Sequence, residues 1–283
     1  MRLHHAALRV VDLARAQHWY QQVVGLVETD RQNGRVHLGC GEGTVLTLVS
    51  GGAGLDHFAY EVADVEQLKA ATRRLPSTVV AHDLAPGVAA AVDICLPSGH
   101  RLQLVVSDRK PNHVRPAERP PAAANAPLGI DHVNLAARDP AGLSEFLVTR
   151  LGFRLSDVHR VDGGAAGVWL RQGERHHDLA ALAHRRDALH HVAFTMPSAA
   201  AMVAFADRLV AHGQRAEYGI GRHGPGANLF LYVRDPEGNR VEMSAEMALV
   251  PETAPTRYWE GRDPYIIDVW APYAPPKAFW EVT

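Results

Sequence analysis

Cysteine is nearly absent, with Cys40 and Cys95 the only two in 283 residues. That excludes a disulfide framework, and with no export signal the pair reads as two buried thiols. Long hydrophobic runs are missing as well: no stretch approaches the ~20 apolar residues of a membrane span. The opening MRLHHAALRV enters a strand-like pattern without the apolar core of a signal peptide. Nor is there an excess of charge. Lys and Arg total 29 against 31 Asp and Glu, a net −2, so no strong field favours nucleic acid or an anionic membrane. These absences describe a soluble cytoplasmic protein, and at 47% hydrophobic the chain is long enough for two domains.

What the chain has in excess is histidine, 17 in all. Many sit inside apolar strand-like runs, where a polar ring must find a partner. The sequence also repeats itself. LHHAALRVVDLARAQHWYQQVVGL and IDHVNLAARDPAGLSEFLVTRLGF both read as strand, turn, amphipathic helix and Gly stop. Leu13, His18, Trp19 and Val23 supply the apolar stripe of the first helix, and Leu143, Phe146, Leu147 and Leu151 that of the second. LDHFAYEV (55–62) matches LHHVAFTM (189–196), each before a helix, and LPSGHRLQLV (96–105) matches DPEGNRVEMS (235–244), each a hairpin turn and strand. The predicted fold is α+β: tandem βαβββ modules, used once per half or repeated inside each half, forming two similar domains with curved, incomplete barrel-like sheets. The expected boundaries are 1–108 for a first domain, 109–127 for a linker with five Pro, 128–250 for a second domain, and 251–283 for an aromatic tail. Trp259, Trp270 and Trp280 fall in that tail, which is expected to pack on the second domain.

Three side chains of the second half stand in chemically suggestive places. In IDHVNL, alternation puts Asp131, Val133 and Leu135 on one face and His132 with Asn134 on the other. His191 occupies the corresponding place in LHHVAF, in register with His132; alternation sends the adjacent His190 the other way. Glu242 lies after the turn Asp235–Asn239, and a hairpin centred near 237 sets it opposite Tyr232. A carboxylate in an apolar strand is costly to bury without a cation or hydrogen bond. Taken singly, each residue reads as an ordinary core or edge side chain. Together, two His and one carboxylate on three strands suit non-haem iron(II) and leave positions open for substrate and dioxygen; zinc accepts the same donors.

The second half resembles the type I extradiol catechol dioxygenases of the vicinal oxygen chelate superfamily (glyoxalase, bleomycin-resistance and dioxygenase proteins). The matches are IDHVN, RHHDLA (175–180), LHHVAF, GRHGPG (221–226) and LYVRDPEGNRVE (231–242), with His223 nine residues before Tyr232 and Tyr232 ten before Glu242. The resemblance covers 129–245 well and the remainder loosely. It implies His132, His191 and Glu242 as iron ligands and His177 as the acid–base histidine. It further implies His223 and Tyr232 as substrate-contacting catalytic residues, and Asn134 beside the bound oxygen. The implied activity is proximal (2,3-type) cleavage of a catechol by O2 in aromatic catabolism, with Fe(II) or alternatively Mn(II), in a homo-oligomer. A base titrating near neutrality is what catechol deprotonation needs, and histidine meets that need.

The first half carries His5, His57 and Gln103 at the equivalent positions. A neutral glutamine lends no charge to an ion, so that half reads as scaffold. A metal-dependent glyoxalase-like isomerase or lyase would use similar ligands without calling for His177, His223 and Tyr232. A metal-free small-ligand binding protein of this fold would not call for a buried Glu242. Arg222, Arg240 and Arg262 are candidates to recognise a substrate carboxylate, each equally readable as a surface residue.

Overall fold

The computed structural model describes residues 1–40, 43–75, 78–81, 83–108, 125–271 and 274–283. The expected linker at 109–127 falls mostly outside the described residues. The first half runs β1 (Arg2–Val10), α1 (Leu13–Trp19), β2 (Val27–Gln32), β3 (Arg35–Cys40), β4 (Gly43–Ser50). It continues β5 (Gly54–Glu61), α2 (Val65–Thr72), β6 (Val79–Val80), β7 (Val88–Cys95), β8 (Arg101–Ser107). The second half runs β9 (Gly129–Ala137), α3 (Pro140–Leu151), β10 (Arg154–Val161), β11 (Gly164–Arg171), β12 (Leu179–Ala183). Then follow β13 (Ala188–Thr195), α4 (Ala199–Ala211), β14 (Tyr218–Arg222), β15 (Leu229–Arg234), β16 (Arg240–Ala245) and a tail strand β17 (Arg257–Glu260). Each half is therefore βαβββ used twice, so the repeat lies inside the halves as well as between them.

The two sheets have the same strand order. The first is β2-β3-β4-β1-β5-β8-β7-β6, and the second is β10-β11-β12-β9-β13-β16-β15-β14 with β17 added outside β10. In each, two modules join along one antiparallel seam, β1 with β5 and β9 with β13. Both remain open sheets whose helices bury their apolar stripes against one continuous core. Helix ends follow local chemistry. Asp139 caps α3 by accepting from Gly142 N, Pro140 occupies the first turn, and Gly152 ends it at φ 69°.

Some expectations are corrected. His18 is exposed, and the buried stripe of the first helix is Ala16, Trp19, Tyr20, Val23 and Val24, because helical i, i+3, i+4, i+7, i+8 spacing from Ala16 leaves position 18 on the solvent side. Cys40 is buried but Cys95 is exposed, and neither is in a disulfide.

Candidate metal centre

Register brings the three suggested ligands together. On β13, Ala193 pairs with His132 of β9 on one side and with Glu242 of β16 on the other. His191, two residues earlier, shares that face. The small Ala193 side chain, buried but outside the main apolar core, leaves room for its larger neighbours to lean over it. One ligand atom from each of His132, His191 and Glu242 lies within 4.8 Å of the others. The two Nε2 atoms are 3.0 Å apart, and Glu242 Oε2 is 3.2 Å from one and 2.9 Å from the other. Despite this proximity, Oε2 makes no well-formed hydrogen bond. Three donor atoms converging on one point, in a fully buried setting, fit a divalent ion with His₂-carboxylate preference.

Hydrogen-bond partners fix which ring nitrogen faces that point. Asp131 Oδ1 lies 3.1 Å from His132 Nδ1, so Nδ1–H donates and Nε2 is the atom aimed at the centre, protonated in the metal-free chain and a lone pair once an ion takes that place. Arg175 and Thr195 in turn hold the other Asp131 oxygen. His190 sits at a bulge between Leu189 and His191, which breaks the expected alternation and turns its ring onto the same cavity. Its Nε2–H donates to Phe279 O at 3.1 Å, so its Nδ1 accepts from His191 Nδ1–H at 2.7 Å. His191 Nε2 is thus a free donor atom. Asn228, which the sequence did not single out, donates to Glu242 Oε1 at 3.2 Å.

The protonation pattern follows from burial and charge. Burial opposes a charge on His132, but the Glu242 and Asp131 carboxylates overcome it and hold its pKa up at about 9. Burial pulls His191 down to about 4 against the pull of Glu242. Glu242 itself is penalised by burial, yet His132 and His191 keep it well below the usual carboxylate range. In this cluster a proton shares the place that a divalent ion would take.

His177, His223, Tyr232 and Asn134 line one cavity of about 450 Å³ together with His132 and His191. The His177 ring centre is 4.5 Å from that of His132. Asp157 Oδ1 accepts from His176 Nε2 at 3.1 Å, His176 Nδ1 accepts from His177 Nδ1–H at 3.0 Å, and His177 Nε2 is left unprotonated. Burial, then the neighbouring His132, His176 and His223, push His177 well below its usual pKa. His223 Nδ1–H donates to Ile267 O at 2.6 Å, and its Nε2 accepts from the Tyr232 hydroxyl at 2.9 Å. Of Gly221, Gly224 and Gly226 around His223, Gly226 alone has a positive φ. It sits at φ +79°, and a Cβ there would lie 3.1 Å from His177 Cε1.

The three arginines separate. Arg240 is fully buried, spent on Glu217, His190 O and Ala278 O. Arg222 binds Ala227 O and Glu246. Arg262 alone lines the cavity, paired at 2.6 Å with Asp162. In the first half, His5 and His57 face each other at 3.2 Å. There the Arg101 guanidinium sits 2.9 Å from His57, no carboxylate replaces Gln103, and Ala59, the counterpart of Ala193, is packed under Ala81 and Ala85.

A family model for the glyoxalase/bleomycin resistance protein/dioxygenase superfamily matches residues 2–89 and 129–243. The chain belongs to that superfamily. Among curated relatives, this superfamily member is 29% identical over 282 residues to a manganese-dependent 2,3-dihydroxybiphenyl 1,2-dioxygenase of Geobacillus genomosp. 3, covering 90% of this chain and 89% of that one. It is 26% identical to a metapyrocatechase of Geobacillus stearothermophilus, covering 98% and 91%. Among solved structures, homoprotocatechuate 2,3-dioxygenase from Arthrobacter globiformis superposes with a TM-score of 0.88 at 25% identity, over 100% of this chain and 91% of that one. Both matched segments of the superfamily model span the strands that carry the paired seams, and the second includes every residue of the His132, His191 and Glu242 cluster.

Proposed function

We propose that the protein is an extradiol ring-cleaving dioxygenase that opens a catechol-type ring with O2 at a divalent metal, iron(II) in the first instance and manganese(II) by the same donors. The observation that carries this reading is the convergence of His132, His191 and Glu242 beside a cavity that both histidines line together with His177, His223 and Tyr232. Residues 128–250 are the proposed catalytic unit, 1–108 its scaffold, and 251–283 a wall of the cavity.

When bound, the ion supplies Lewis acidity that makes a catechol hydroxyl more acidic and a template holding substrate beside dioxygen. His177 Nε2, unprotonated and facing the cavity, takes up the second hydroxyl proton and later returns it to the product. The Tyr232 hydroxyl and His223, linked at 2.9 Å, orient the catechol oxygen. Asn134, whose Oδ1 is buried without a partner, is placed for a polar contact at the oxygen-binding side. Apolar walls exclude water, which strengthens each of these interactions.

The test is anaerobic purification, metal analysis, and oxygen uptake with the appearance of a yellow ring-opened product from catechols. Metal-bound protein with no uptake on any catechol, but conversion of a glutathione hemithioacetal, would favour a glyoxalase-type isomerase. Glu242→Ala is expected to lose the metal; stoichiometric metal and full activity in that variant would overturn the ligand assignment.

A further inference from the structure

Resting on the extradiol reading of this site, we propose that the substrate is a catechol bearing an uncharged apolar substituent, aryl or alkyl, and not one bearing a carboxylate. The cavity of about 450 Å³ falls in the range of pockets that enclose drug-sized ligands (~300–1,000 Å³) and exceeds what a bare catechol ring fills. The polar groups gather at one end, around His177, His223 and Tyr232. Most of the remaining wall is apolar, with His159, Arg262 and Asp263 the polar exceptions: Trp169 and Leu182 come from β11 and β12, Ile266 and Ile267 from the tail, and Phe279 and Trp280 from its end.

No unpaired lysine or arginine lies on that wall among the described residues. Among the described lining residues, Arg262 is the only lysine or arginine, and Asp162 already holds its guanidinium at 2.6 Å. Asp263, next to it, also lines the cavity. A substrate carboxylate at the mouth would have to displace Asp162 from a solvent-exposed guanidinium, with the Asp263 carboxylate on the same wall. Deeper in, it would lose its water among Ile266, Ile267 and Trp169 with nothing to pair it. Arg222 and Arg240, the other sequence candidates for this task, point their guanidiniums at Glu246 and Glu217. By contrast, an aryl or alkyl group gains contact along the whole wall, and Trp280, 47% exposed at the rim, offers apolar surface for it to cover.

The experiment compares oxygen uptake by the full metal-loaded chain on 2,3-dihydroxybiphenyl, unsubstituted catechol and 3,4-dihydroxyphenylacetate. The aryl compound is expected to exceed catechol in kcat/KM by at least about tenfold, with the acetate below both. An acetate that matches or outruns the aryl compound overturns the proposal while leaving ring cleavage intact. Absence of uptake on all three sinks the extradiol reading itself. Leu182→Arg places a cation on the apolar wall away from the metal centre. It is expected to lower kcat/KM for the aryl compound about tenfold, to spare catechol, and to raise the acetate relative to both. An equal loss on all three would mean that this wall does not select the substituent.

Discussion

Every histidine proposed to work at the cavity is held at Nδ1, so that Nε2 faces inward. The anchors differ: Asp131 for His132, the His190–Phe279 carbonyl relay for His191, the His176–Asp157 relay for His177, and the Ile267 carbonyl for His223. Such outer partners typically tune metal affinity or activity by ~10–100-fold. His190→Phe keeps a ring in place but removes the acceptor for His191 Nδ1–H, so metal affinity is expected to fall about tenfold or more in a competition titration. Unchanged affinity would mean that the relay does not set the ligand. For His177 the expectation is different. His177→Phe should retain the metal and lose turnover by about 10²–10⁴-fold, which metal analysis and steady-state rates together resolve. Motif spacing made the inward residues legible in the sequence. Their anchors were not, because Asp131 looked like core, Asp157 and Asn228 lie in other strands or loops, and no local pattern announces a cross-sheet hydrogen bond.

At the scale of the element, the centre exists because β13 runs between β9 and β16 in a register that flanks Ala193 with two ligands. A side chain larger than alanine there would occupy the space over which His132 and Glu242 lean. Ala193→Leu is therefore expected to abolish stoichiometric metal binding, while far-UV circular dichroism and solubility stay near wild type. Metal retained at full occupancy would show that the ligands reach past this position. The repeat of strand, helix and three strands was legible from period and turn chemistry, and so was the Tyr232–Glu242 pairing. The bulge at His190 was not. Period-two alternation assumes an unbroken ladder, and one extra residue redirects a side chain without any sequence signature. The stripe of the first helix departs for a different reason: His18 does not share a helical face with Leu13 and Val23, and the buried stripe starts at Ala16.

At the scale of the whole molecule, the two halves share strand order but divide the labour, and the first half stores much of the buried histidine. Burial lowers the pKa of His4, His5, His37, His57 and His100, all outside the proposed metal centre. For a group whose folded pKa lies below its unfolded value, the unfolded chain binds more protons. The stability it contributes is thus complete above pH ~6.5 and is lost as pH falls below it. Three groups oppose this trend: His132, which against burial Glu242 and Asp131 hold up at about 9 in the metal-free chain, Asp235, which burial raises, and Asp178. Burial raises Asp178 to about 6 despite the Tyr60 hydroxyl that donates to it across the two halves at 2.7 Å, so its contribution fades as pH rises through that value. His177, His190, His191 and His223 are lowered as well, so nine histidines against three opposing groups decide the sign, each proton adding at most ~1.4 kcal/mol per pH unit. Metal binding acts in the same direction, because protons compete for its ligands. Urea midpoints are therefore expected to fall between pH 7.5 and pH 5.5, with or without bound metal, and His100→Gln should flatten the slope. A midpoint that holds or rises over that interval would mean the buried imidazoles accept protons in the folded state, through water reaching the first-half core.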